Sequence, residues 1–131
     1  MYNYFMLAGI IYKDLEFKTS KNGTKYVKIP LLVAKSFKNP DGQYDADLFH
    51  IYLWDVLADI ANDNFKKGSK IGIKGRIQSK FVTLENKVVI PAYDLIAERL
   101  IFFDSLDYQL DDYDFNGKMT IEKEQEEGKD V

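Results

Sequence analysis

The stretch DLFHIYLWDVLADIANDNFKKG, residues 47–68, changes its period halfway along. Up to Trp54 the apolar residues alternate as in a β-strand: Phe49, Ile51 and Leu53 share one face, and Leu48, His50, Tyr52 and Trp54 share the other. From Asp55 onward Leu57, Ile60, Ala61 and Phe65 recur at helical spacing. Acidic residues lie toward the start of this helix, Lys66 and Lys67 suit its C-terminal dipole, and Gly68 suits its stop. A strand therefore runs directly into a helix, and its second face, which ought to meet water, carries a His, a Tyr and a Trp.

Before this stretch, NYFMLAGIIY sets Phe5, Leu7, Gly9 and Ile11 against Tyr4, Met6, Ala8 and Ile10, a strand covered on both sides with a bend or bulge expected at Gly9. After the turn signal Lys21–Gly23, YVKIPLLVAKSF points Val27, Ile29, Leu31 and Val33 one way. Pro30 lies on the opposite face and predicts an edge or bulged position. The turn-rich loop KNPDGQ, residues 38–43, joins this strand to the opening stretch as a long hairpin. Beyond the helix, SKIGIKGRIQSKF is expected to turn Ile71, Ile73 and Ile77 to the core, with Lys70, Lys74, Arg76, Gln78 and Lys80 on the other face. A turn around Leu84–Lys87 leads to a last strand from Val88 to about Phe103.

The chain has 131 residues, 46% of them apolar, which suits one domain and a tail. It has no cysteine, so disulfides, thiolate metal sites and cysteine nucleophiles are excluded, and a cytoplasmic location is expected. The single His argues against a histidine metal site. No run approaches the roughly 18 apolar residues of a membrane span, and the N-terminus begins like a strand without the basic region of a signal peptide. The net charge of −3 hides a segregation: residues 1–103 hold 15 basic and 11 acidic side chains (+4), and residues 104–131 hold 3 and 10 (−7). A basic body with an acidic tail suits a nucleic-acid partner or, equally, a neutral domain with a solubilising tail. Carboxylates are plentiful, but Asp45 and Asp47 precede a strand with no partnered His, Cys or Gly-rich phosphate loop, which argues against an enzyme.

Four or five strands with one helix between the third and fourth match an all-β OB-fold, the five-stranded Greek-key barrel, while SH3-like barrels and small sandwiches share the strand count. The helix position favours the OB-fold. Residues 1–103 form this domain, and the acidic residues 104–131, without stable periodicity, are expected to be mobile.

The ordered set NYFMLAGII, then LEFKTSKNGTKYVKIPLLVAKSF, then DLFHIYLWDVLADIANDNFKKGSKIGIKGRIQSKF closely resembles the bacterial and phage single-stranded DNA-binding protein family over residues 3–103. Its most specific portion is LW, LADIA, FKKGS and the spaced Ile-Gly-Ile that follows. The resemblance implies an OB-fold homotetramer that wraps single-stranded DNA without sequence preference, with no catalytic activity and no cofactor. A first strand apolar on both faces independently suggests self-association, as a dimer or a tetramer.

Binding single strands without sequence readout needs aromatic platforms for bases and cations along the phosphates. His50, Tyr52 and Trp54 form such an outward face. By resemblance Trp54 and Phe37 occupy family positions for stacking aromatics, with Phe81 a third candidate. Burial in the core or in a subunit contact is the competing reading for each ring. Lys35 and Lys38 flank Phe37, while Lys74, Arg76 and Lys80 form a basic ladder toward Phe81. Lys13, Lys18, Lys21, Lys25 and Lys87 are weaker candidates. The leading expectation is a DNA-coating protein of replication, recombination or repair; the alternative is an OB-fold primosome-type accessory or protein-interaction subunit with weak nucleic-acid binding.

Family members of bacterial origin end in an acidic and hydrophobic tip closing in Pro-Phe that recruits replication and repair proteins. Here the end is EEGKDV, with a chemically similar internal DDYDF at Asp111–Phe115, and a short tail of this kind fits a phage, plasmid or mobile-element protein. The family's Asp-Pro after the first strand is Asp14-Leu15 here.

Overall fold

The computed structural model describes residues 1–102 and the backbone at 113–114. Seven strands and one helix follow in the order β1 (Phe5–Ile11), β2 (Phe17–Thr19), β3 (Lys25–Lys38), β4 (Tyr44–Trp54), α1 (Val56–Asn64), β5 (Lys70–Thr83), β6 (Val89–Phe102) and β7 (Tyr113–Asp114). The described residues are thus mostly β with one helix. No helix among them is long and apolar enough to cross a membrane. The expected mobile tail, residues 104–131, lies outside the described residues except for β7.

Neighbouring long strands pair antiparallel: β3 with β4, β1 with β3, β1 with β5, and β5 with β6. β4 also meets β6 in parallel at Ile51–Leu95 and Tyr52–Ile96. Short β2 adds to β3 with Phe17 opposite Val27 and Lys18 opposite Tyr26. The pleat then sorts the side chains. Val27, Ile29 and Leu31 of β3, Ile51 and Leu53 of β4, and Ile71 and Ile73 of β5 are all buried in one cluster with Ile11 and Ala97. Ala58 and Ala61 bring the buried face of α1 onto it, with Leu57 and Phe65 packed alongside. A second, smaller cluster of Ile10, Leu32 and Ala46, flanked by Tyr12, Tyr44 and Leu48, covers part of the opposite face. Leu48 is consequently drawn away from the open face it shares with Trp54.

Gly9 shows no bend. It pairs with Ile71, and a Cβ there would lie 1.9 Å from the carbonyl oxygen of Leu32, so the position is glycine because β3 crosses close to β1. Pro30 is not bulged either. It sits mid-ladder opposite His50, and its carbonyl accepts from the Tyr12 amide, so the side lacking an N–H faces the end of β1, where the ladder stops. The irregularity of β3 lies instead between Ala34 and Lys38. The helix ends at Asn64, with Phe65 already extended and its ring stacked on Phe102 at 5.1 Å. Lys66 and Lys67 therefore fall beyond the last turn. Gly68, at φ +89°, turns the chain so that its amide donates to Ile11.

Ile77, expected in the core, is 41% exposed. Pairing of β1 with β5 ends at Gly75, so β5 runs on with β6 as its one partner; β6 still meets β4 at Leu95 and Ile96, and from Gln78 and Asp94 outward β5 and β6 continue as a two-stranded arm. At that margin the side chain of Asn3 replaces a strand: its Nδ2 donates to the Ile77 carbonyl at 2.7 Å and its Oδ1 accepts from the Ile77 amide at 3.0 Å. Two exposed neutral hydrogen bonds together contribute about 1–2 kcal/mol. Asn3→Ala is expected to lower the denaturant midpoint by that free energy, measured by urea unfolding followed through Trp54.

Candidate nucleic-acid interface

The register between β3 and β4 builds the site row by row. Tyr26 lies opposite Trp54, Lys28 opposite Tyr52 and Pro30 opposite His50, so the outward faces of both strands form one surface. β2 adds Lys18 beside Tyr26. On the other side Tyr52 pairs with Ile96 of β6, and Ile96 with Arg76 of β5. The row Lys28, Tyr52, Ile96, Arg76 thus crosses four strands.

The rings on this surface contact one another. Tyr26 and Trp54 stack with centroids 4.7 Å apart, Tyr52 and Trp54 lie near-parallel at 6.2 Å, and Tyr26 and Tyr52 are also 6.2 Å apart. The Lys28 ammonium stands 5.5 Å from the Tyr52 ring centroid. Trp54 stays 37% exposed and belongs to neither buried cluster, which removes the core reading within the protomer. Aromatics on a face that ought to be wet are accommodated here by stacking on each other with one side still open. They line a hollow of about 530 Å³ with Lys21, Arg76, Gln78 and Asp94; two neighbouring hollows share Tyr52 with it, one lined by His50, Lys13 and Lys18 and the other by His50 and Lys80, and the three together make the groove.

Of the expected residues, Trp54, Tyr52, His50, Arg76 and Lys80 come together in this groove. Arg76 donates through Nη2 to Gln78 at 3.3 Å, while its Nη1 is buried without a hydrogen-bond partner. Lys80 is paired with Asp94 at 3.1 Å. Lys74 is not in the groove: it stands over the Tyr4 ring at 5.8 Å, in the row shared with Met6 and Arg99. Phe37, Lys35 and Lys38 sit at the far end of the β3–β4 hairpin, with Phe37 eleven residues or about 35 Å of strand from Tyr26. There Phe37 is 62% exposed, Lys38 lies over Tyr44, and Lys35 pairs with Asp47 at 3.6 Å. Phe81 is 78% exposed on the β5–β6 arm, opposite Pro91. The candidate rings therefore form a central stack and two outlying platforms rather than one cluster.

Sequence reasoning missed Tyr26 and Lys28. Their signal was present, since both alternate with Val27 and Ile29 and so share the face of Pro30. Among the described residues, no group of three His, Cys, Asp or Glu side chains is placed to hold a metal ion.

Residues 2–103 match the model of the single-strand binding protein family. The chain is 32% identical over 104 residues to single-stranded DNA-binding protein B of Bacillus subtilis, covering 79% of this chain and 92% of that protein. It is 31% identical over 98 residues to single-stranded DNA-binding protein 1 of Streptococcus pyogenes, covering 75% of each. With single-stranded DNA-binding protein 1 of Staphylococcus aureus strain COL it shares 34% identity over 80 residues, 61% of this chain and 48% of that protein. An exposed aromatic stack in a lysine-bordered groove, on a chain matched from residue 2 to the end of its last long strand, has one consistent assignment: the chain belongs to the single-strand binding protein family.

Proposed function

We propose that this protein binds single-stranded DNA without reading its sequence and coats exposed strands during replication, recombination or repair, as a binding protein and not an enzyme. The observation that carries this reading is the exposed stack of Tyr26, Trp54 and Tyr52 inside a groove bordered by Lys18, Lys21, Lys28, Arg76 and Lys80. Bases stack on such rings whatever their identity, because every base has a π-face, and the cations follow the phosphates. The Nη1 of Arg76, buried without a hydrogen-bond partner, is a charged donor that a phosphate or base oxygen would satisfy. Phe37 and Phe81 would extend the path along the two arms, with Lys35 and Lys38 beside the first and His50 as a polar contact between the platforms.

The fold we infer is an OB-type barrel over residues 1–103. It rests on the circuit of pairings β3–β1–β5–β6–β4–β3, with α1 packing Ala58 and Ala61 against one end of the core. Self-association, with the homotetramer as our reading, is supported by β1: Phe5–Gly9 pair with β5 alone, and Tyr4 and Met6 are 65% and 54% exposed. An open apolar edge of this kind is a template for another strand. A cytoplasmic location follows from the proposed role.

The chain has a single Trp, so its fluorescence reports on the groove directly. Titration of sub-micromolar protein with oligothymidine is expected to quench it strongly, and the binding constant should fall with salt by a log–log slope of about −0.7 per neutralised phosphate. Absence of quenching at low salt would rule the proposal out. Asp94→Asn, which releases Lys80 from its ion pair, is expected to tighten binding about two- to fivefold at low salt, an effect of under about 1 kcal/mol as befits a surface pair.

A further inference from the structure

The outer end of the β3–β4 hairpin carries a contact that the groove does not use. β4 is paired with β3 along one side, but on its other side it meets β6 only at Ile51 and Tyr52. Toward the hairpin end that side would present unpaired N–H and C=O groups, the kind of edge that captures extended chains. It is occupied: β7 runs parallel to β4 there, with Tyr113 in register with Tyr44 and Asp114 with Asp45.

The chain can make this contact within one protomer. Following the paired residues Phe102, Ile71, Gly9–Ile10, Leu32 and Leu48 crosses four strand spacings and one residue step of β1, and four further residues of β4 reach Tyr44, in all about 36 Å at most. Ten residues lie between Phe102 and Tyr113, and the eleven Cα steps span up to about 37 Å extended.

We propose that the edge of β4 at Tyr44–Asp45 is a strand-addition site for a peptide, and that its occupant is the protein's own Tyr113–Asp114. Recognition is through the main chain, as in other cases of β-augmentation, and so does not depend on the acidic side chains around it. Two consequences follow. The edge beside Phe37 and Lys38 is closed to other chains, and any partner that takes the DDYDF segment in extended form must first displace it from β4.

Disulfide trapping tests this in the full chain, which has no cysteine of its own. Neighbouring strands place facing Cα atoms about 4.8 Å apart, inside the roughly 4.4–6.8 Å that a disulfide spans. The double variant Tyr44→Cys/Tyr113→Cys is expected to form an intramolecular disulfide under mild oxidation at least tenfold faster than Tyr44→Cys/Glu127→Cys. Equal rates for the two pairs overturn the proposal, and so does a predominance of disulfide-linked dimers, which would mean that a second copy supplies the strand. As a second reading, Tyr113→Pro removes one backbone donor and is expected to speed amide exchange at residues 44–46 at least tenfold, whereas unchanged exchange overturns the proposal. Neither measurement involves DNA, so their failure leaves the groove's proposed role standing, and a failed Trp54 titration leaves this site standing.

Discussion

Trp54→Ala is expected to weaken binding of oligothymidine by roughly 5- to 150-fold, the equivalent of the about 1–3 kcal/mol that one base–aromatic stack contributes. Measurement is by anisotropy of a labelled oligonucleotide, since the variant has lost its intrinsic fluorophore. Trp54→Phe should retain most of the affinity because a phenyl ring still offers a face. Tyr26→Ala is informative in a different way. Tyr26 covers one side of Trp54 at 4.7 Å, so removing it frees the indole to tilt, and its effect combined with Trp54→Ala should be smaller than the sum of the two. Lys28→Ala should act mainly on the salt slope, reducing it by about 0.7 if one phosphate contact is lost. If Trp54→Ala binds as tightly as the parent chain, the central stack is not where bases lie.

Gly9→Ala is expected to destabilise the fold by about 3 kcal/mol or more, read as a lowered urea midpoint. The added methyl would sit 1.9 Å from the Leu32 carbonyl oxygen, and that obstacle is backbone, not a side chain that can turn aside. Relief requires β1 to move off β3 just where Ile10 and Ile11 pair with Leu32 and Leu31. Those residues belong to both buried clusters, so the cost spreads into the core. By contrast, Gly23→Ala meets no atom within 4 Å, so only its left-handed backbone, at φ +81°, resists the change, and about 1 kcal/mol is expected.

Much of the fold was legible because strand faces follow from alternation alone. Phe49, Ile51 and Leu53 were expected on one side of β4 and Tyr52 and Trp54 on the other, and this is how they lie. Partnership across strands was harder to read. Counting back symmetrically from the tip pair Lys38–Tyr44 would set Tyr26 opposite Val56, but the irregularity between Ala34 and Lys38 takes up two extra residues of β3 and brings Tyr26 to Trp54. An offset of two preserves which face a residue occupies and changes which residue it meets. Ile77 failed for another reason: alternation continues along β5 after its neighbour β1 has ended, so Ile77 has β6 on one side and the Asn3 side chain in place of a strand on the other, and stays 41% exposed. Ion pairing across strands was not legible either: Lys80 of the basic ladder and Lys35 beside Phe37 each have a carboxylate partner on a neighbouring strand.

What the sequence alone determined was periodic: the long strands, the helix after Trp54, the apolar core face, the aromatic second face and the family resemblance. These depend on residues a few positions apart, where geometry is set by the pleat and the helical turn. The tertiary structure alone decided which rings touch, that Phe37 and Phe81 stand apart on arms, that Lys74 leaves the groove for Tyr4, and that the tail returns to β4. Each of these depends on registers and strand ends, which are set by the closing of distant ladders and by single irregularities that shift every partner beyond them.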